Sequence, residues 1–170
     1  MKLPGLQLEN AFVSADHRGS FIKSVVCGES GFLGHSVAEV FTTVSRANVL
    51  RGMHYQEGPY KHSKTVTCLA GSVLDVVVCI NPYSSLFGKT WSTILYGTEP
   101  KTLFMSDDYA HGFLTLENNS VVSYTTSTPY SSSHDVGVLW NSIDFEWPCS
   151  DPVLSARDTT HPPLSSLLTK

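Results

Sequence analysis

The sequence predicts an all-β chain, an antiparallel sandwich or barrel. Three observations carry this. Helical periodicity is almost absent. Short runs of β-branched and aromatic residues recur instead. Clusters of Gly, Pro, Asn and Ser separate them at short intervals. Sandwiches and barrels of short strands read this way, and such barrels leave a mouth wide enough for one small ligand.

Taken in order, Arg18-Gly19-Ser20-Phe21 is a turn into the first good strand, 20–27. Residues 28–37 read as a short helix or loop. Strands follow at 38–46 and 48–54, divided by Ala47-Asn48, and Glu57-Gly58-Pro59 closes the second. Runs 64–70 and 72–80 flank Gly71, a tight-turn signal. Further strands are expected at 90–96, 101–105, 111–116 and 120–127, with turns at 81–88, 97–100, 106–109 and 117–119. After Pro129 the pattern loosens, and Ser131-Ser132-Ser133 reads as an exposed loop. Trp140, Trp147 and a few leucines are expected to pin a short helical or irregular tail across the strands. No repeat or linker appears, so residues 1–170 read as one domain.

A hydrophobic content of 41% against 15% charged residues fits a packed chain, not a disordered one. The net charge of -4 supplies no basic field for nucleic acid or a membrane surface. Cys27, Cys68, Cys79 and Cys149 form no C-x-x-C pair, and reduced thiols in a cytosolic protein are expected. The opening MKLPGLQLENAF has no long apolar core, which argues against a secretory signal. No apolar run approaches the ~18 residues of a membrane helix.

The stretch Val49-Leu50-Arg51-Gly52-Met53-His54-Tyr55-Gln56 holds the sharpest chemistry. Arg51 and His54 suit an anionic substrate beside a proton-transfer group, although His54 alone also reads as a satisfied, partly buried side chain. Lys64 opens a strand in phase with Val66 and Cys68; it is a rim residue or an electrophile for developing negative charge. His111 is a core histidine or a pocket one. Tyr124 and Tyr130 are packing residues or pocket residues. Asp158 is a turn acid or a site acid. Asp75 interrupts the apolar run Val73–Val78, where an unpaired carboxylate is unfavourable, so a structural partner is expected. His54, His62 and His111 show no H-x-H spacing, which argues against a metal centre. Nucleophile elbows and phosphate loops are absent.

Together these segments resemble the nucleotide-sugar epimerase family typified by dTDP-4-dehydrorhamnose 3,5-epimerase. The likeness runs from Arg18 to Asp158. It passes through Val49 to Gln56, Lys64, Gly71 to Val76, Ala110-His111-Gly112-Phe113, Tyr124 to Tyr130, Trp140-Asn141 and Trp147-Pro148, and ends in Leu154-Ser155-Ala156-Arg157-Asp158. It implies a cupin-like antiparallel barrel or jelly roll, a homodimer, and catalysis without metal or cofactor. The implied substrate is a nucleoside diphosphate 4-keto-6-deoxy sugar, inverted at C3, C5 or both through an enolate.

The resemblance makes His54 the base, Asp158 its orienting acid, Lys64 the oxyanion cation and Tyr124 the opposite-face acid. Arg18 and Arg51 would hold the diphosphate. Phe21, Gln56, His111, Tyr130 and Asp135 would line the nucleotide or sugar sites. Glu39 and Phe41 stand where the family commonly has Gln and Asn. They leave the nucleotide, the sugar and the number of inverted centres open. A 3,4-ketoisomerase, a binding module without turnover and a metal-dependent cupin are the competing readings.

Overall fold

The computed structural model describes residues 3–26 and 35–169. The strands among them are β1 (Leu6–Asn10), β2 (Phe12–Asp16), β3 (Gly19–Lys23), β4 (Glu39–Ser45), β5 (Leu50–Gln56), β6 (Lys64–Ala70), β7 (Ser72–Cys79), β8 (Thr90–Tyr96), β9 (Lys101–Met105), β10 (Tyr109–Thr115), β11 (Ser120–Thr126) and β12 (Asp135–Gly137). They form two five-stranded antiparallel sheets, ordered β1-β9-β6-β11-β4 and β12-β5-β10-β7-β8, with β2-β3 as a separate hairpin. This is the all-β, cupin-like architecture expected.

Each expected strand from 38 onward has a counterpart within a few residues. The first expected strand ends early, at Lys23, and its last position, Cys27, lies outside the described residues, as does most of 28–37. β1, β2 and β12 were not expected. Phe12–Asp16 is exposed throughout and β12 has only three residues, so neither carries the alternation that marks a half-buried strand. Tertiary pairing makes them strands: β1 lies along β9, and β12 along β5.

Two packed layers explain the patterns. Between the sheets lie Val66, Cys68, Val73, Val77, Leu103, Met105, Phe113, Val122 and Tyr124. The other face of the second sheet carries Met53, Tyr55, Val76, Val78 and Ala110, covered by Val138, Ile143, Leu164 and Leu167 of the C-terminal segment. β7 is therefore covered on both faces, and it reads as a continuous apolar run, not an alternating one. Trp147 packs with this layer, and its indole N–H donates to the Trp140 carbonyl at 3.1 Å. The tail is pinned as expected. Asp75, wholly buried in β7, has its expected partner: a carboxylate oxygen 2.8 Å from His111 Nε2.

Two glycines set close approaches. Gly71 turns the chain from β6 to β7 at φ +71°, with no room for a Cβ, which would lie 2.9 Å from Ser120 Cα. Gly52 has φ +140°, and a Cβ there would lie 2.5 Å from Gly112 Cα. Gly52 and Gly112 let β5 and β10 come together where His54 and His111 sit opposite each other. Cys68, Cys79 and Cys149 are free thiols, and Cys27 lies outside the described residues. No described helix is long and apolar enough to cross a membrane.

Candidate active site

A cavity of about 280 Å³ opens between the sheets, near the low end of small-molecule sites. Alternation aims its lining inward. On β6 the period of two places Lys64 with Val66 and Cys68, on the same sheet face as Tyr124 and Thr126 of β11 and Phe41 and Thr43 of β4. From the second sheet come Arg51, His54 and Gln56 of β5, His111 and Phe113 of β10, and Asp135 of β12. Glu39, His62 and Tyr130 complete the wall.

Behind His54 lies Asp158, 104 positions later in the chain. Its Oδ1 is 2.7 Å from His54 Nε2, and its Oδ2 accepts from the Gly52 N–H at 3.4 Å. A short backbone tie makes this possible. Val153 bridges to Val49, Leu50 N–H donates to the Val153 carbonyl, and the next turn carries Asp158. Burial raises the Asp158 pKa. The hydrogen bond and charge of His54, helped by the Gly52 N–H, outweigh it and hold the carboxyl below its usual value. An ionised carboxylate accepts only, so in the neutral tautomer of His54 it is Nε2 that carries the proton and Nδ1 the lone pair.

Lys64 is mostly buried. Burial pushes its ammonium down to about 8, against the opposing pull of Asp135 and Asp75. Burial, opposed in part by the Thr43 hydroxyl 3.4 Å away, pushes the Tyr124 phenol well above its usual range. It therefore stays protonated, a donor, at neutral pH. Phe41 stacks on the Tyr124 ring, with centroids 4.6 Å apart and planes 11° from parallel.

The cavity brings together eight of the eleven residues expected there, with Asp158 directly behind them. Arg18 and Phe21 lie elsewhere. Within one chain they do not line it. Both sit on the exposed β2-β3 hairpin, where Arg18 pairs with Asp16 at 2.6 Å. Gln56 lines the wall, but its amide is engaged with backbone. Its oxygen accepts from Ser131 N–H at 2.7 Å, and its nitrogen donates toward the carbonyls of Tyr60 and Pro129. It braces the loop that carries Tyr130. Asp135 is held by Arg157 at 2.6 Å.

Some site features were not legible beforehand. The sequence offers His62 only as a metal ligand. It lines the cavity two residues before Lys64, and burial and then the Lys64 charge push it down to about 4, so it is neutral. Period two from Lys64 was the available signal. Glu39 is paired, accepting from the Tyr130 N–H at 2.8 Å. His161, three positions after Asp158, places its Nε2 3.6 Å from the Asp158 carboxylate.

Comparison with known proteins identifies the family and the fold. The sequence profile described as dTDP-4-dehydrorhamnose 3,5-epimerase matches residues 1–166. The protein of that name from Mycobacterium tuberculosis is 37% identical over 170 residues, covering 95% of this chain and 84% of the relative. The one from Escherichia coli is 38% identical over 154 residues, covering 86% and 82%. The solved rmlC epimerase of Mycobacterium tuberculosis superposes with a TM-score of 0.91 at 34% identity, covering 99% of this chain and 88% of that one. ChmJ, a 3'-monoepimerase from Streptomyces bikiniensis solved with dTDP-quinovose, gives 0.88 at 29%, covering 97% and 86%. With the profile spanning nearly the whole chain and relatives above a third identical along most of both lengths, this chain belongs to the dTDP-4-dehydrorhamnose 3,5-epimerase family.

Proposed function

We propose that this chain is a cofactor-independent epimerase that inverts C3, C5 or both of a dTDP-linked 4-keto-6-deoxy sugar, in deoxysugar precursor synthesis. The observation that supports it best is the His54–Asp158 pair at 2.7 Å, beside a cavity that also holds Lys64 and Tyr124. The C4 ketone acidifies the neighbouring C–H bonds. His54 Nδ1 takes one such proton, and the bonding pair moves into an enolate with its charge on O4. Asp158 holds the tautomer and balances the imidazolium that forms. Lys64 faces the developing oxyanion from a dry wall, where its charge acts strongly. Tyr124 returns a proton to carbon from the opposite face, which is what inverts the centre. Arg51 offers a guanidinium fork to the diphosphate. Tyr130 and His111 contact nucleotide and sugar, and Asp135 fixes the wall through Arg157.

The working form is a homodimer in which Arg18 and Phe21 reach the partner's cavity. The hairpin supports this: Phe12, Val13 and Phe21 are exposed on it, and edge strand β4 exposes Val40 and Val44. Such apolar hairpins and open edges are natural pairing surfaces. The chain works in the cytosol, consistent with free Cys68, Cys79 and Cys149.

A proton NMR time course in deuterated water with dTDP-4-keto-6-deoxyglucose tests the chemistry. Loss of the C3 or C5 proton signal, absent in His54→Ala, is expected, and new couplings then report the inverted centre. A carbonyl that migrates to C3 instead would make the chain a ketoisomerase, and full activity in His54→Ala would remove the base. For the dimer, Arg18→Ala and His54→Ala chains are unfolded and refolded together. Donation of Arg18 across the interface restores about a quarter of wild-type activity, because half the dimers are mixed and each has one intact site. No recovery would place Arg18 in its own chain's site.

A further inference from the structure

We infer that His54, Asp158 and His161 form an inhibitory binding site for a divalent transition-metal ion of the zinc class. The site uses no segment beyond those already described, but it gives His161 a role that epimerisation does not.

The geometry is that of a nearly assembled three-ligand site. His54 Nε2, Asp158 Oδ1 and His161 Nε2 all lie within 4.8 Å of one another. The carboxylate oxygen is 2.7 Å from the first nitrogen and 3.6 Å from the second. Zinc bonds of about 2.0–2.1 Å in a tetrahedron separate ligand atoms by about 3.3 Å. The first contact must therefore open by about 0.6 Å, the second is nearly right, and the two ring nitrogens, within 4.8 Å of each other, must close toward the same spacing. Two imidazoles and a carboxylate, with water in the fourth position, are an ordinary zinc set.

His161 supplies the independent reason. Its side chain is nine-tenths buried, and its Nε2 has no hydrogen-bond partner. Buried ring nitrogens are seldom left so. That nitrogen is wedged between the carboxylate and Gly137, where a Cβ would lie 2.6 Å from it. Gly137 is also the cross-strand neighbour of His54, which is how the two rings come edge to face at 5.5 Å. The nearby Arg157 guanidinium is neutralised by Asp135, so it does not bar a cation.

The metal and the reaction exclude each other through one proton. In the resting pair, His54 Nε2 carries the hydrogen and Nδ1 the lone pair. A metal takes the Nε2 lone pair, so the ring hydrogen moves to Nδ1 through solvent, and no net proton is lost by a ring that stays neutral. Nδ1 is then a donor and cannot accept the C–H proton. Metal binding thus lowers kcat and leaves nucleotide affinity largely unchanged. The inhibition rests on the epimerase reading; the binding rests on the three side chains alone.

The test uses full-length, chelator-treated protein titrated with Co²⁺ and Zn²⁺. The expected result is one ion per chain, with visible d–d bands of four-coordinate cobalt and no thiolate charge-transfer band. Exchange activity falls at least about tenfold at saturation and returns with chelator. His161→Leu and His161→Ala keep metal-free activity, which reports their folding, and lose at least about tenfold in metal affinity. Binding only at millimolar metal, a thiolate band, or unchanged affinity in both His161 variants would overturn the site. A chain that binds metal as expected yet exchanges no sugar proton would instead fail the epimerase reading and leave the site standing.

Discussion

Lys64→Met is the substitution that separates function from stability most sharply. The folded chain holds the ammonium in a place that lowers its pKa from 10.5 to about 8, with burial as the leading cause. A depression of about 2.5 units corresponds to about 3 kcal/mol of penalty for keeping the charge in the folded state. Methionine keeps most of the aliphatic stem and removes the charge, so the variant gains about 1–3 kcal/mol near neutral pH after losing some attraction to Asp135 and Asp75. Below about pH 8 the lysine is charged in both states and the penalty is complete. Between about 8 and 10.5 the unfolded chain keeps a proton that the folded chain has released. Wild-type stability from this group therefore rises with pH across that window, and the variant's lead shrinks. The enolate needs the charged form, so wild-type exchange falls as pH rises through about 8, well below the usual lysine range. Urea unfolding at neutral and alkaline pH, beside proton exchange in deuterated water, reads both effects. A Met variant less stable than wild type at neutral pH would refute the buried-charge argument. One that exchanges at the wild-type rate would refute the oxyanion role.

Tyr124→Phe should keep C–H exchange within about tenfold while inversion drops by about 10²-fold or more. Equal loss of both in the NMR time course would deny a pure acid role. Asp158→Asn should lower kcat by about 10²–10⁴-fold with a folded chain, because an amide facing His54 Nε2 favours the wrong tautomer. Near-normal turnover by steady-state assay would dissolve the dyad. Glu39→Gln keeps an acceptor for the Tyr130 N–H and removes a negative charge from the cavity wall. KM for the sugar nucleotide should fall about threefold to tenfold at low salt, with kcat little changed and the effect fading at high salt. An unchanged KM at both ionic strengths would mean the acid never faces the diphosphate.

What the sequence made legible followed from local physics. Eight strand runs, those from 38 onward, stood out because the sheets impose alternation or, in β7, continuous apolarity, while the run at 20–27 became the exposed hairpin strand β3. Asp75 announced a partner because a lone carboxylate among valines is untenable, and His111 is that partner. Lys64 fell in phase with Val66 and Cys68, and that phase puts it on the inner wall. The pairing of His54 with Asp158 was different. No spacing rule links positions 104 apart, and it was reached only through resemblance. The physical cause is the Val49–Val153 bridge, a contact no period encodes.

Misplaced and missed residues share one cause: side-chain type announces a capacity, and neighbours decide its use. An amide such as Gln56 can bind a sugar hydroxyl, but the unpaired backbone of the Tyr130 loop claims it here. Arg18 can grip a phosphate, but it sits on an exposed hairpin away from its own chain's cavity, where Asp16 claims it. Glu39 and Phe41 look like losses when read as departures from a family pattern. In the fold, one holds the Tyr130 backbone and the other stacks on Tyr124, so both shape the cavity wall. The same logic separates the two histidines beside Asp158. His54 faces the cavity at hydrogen-bond distance from the carboxylate, while His161 is buried with an unpaired nitrogen 3.6 Å from it. One carboxylate cannot orient both rings equally. The shorter contact orients His54, and the His161 nitrogen stays without a hydrogen-bond partner.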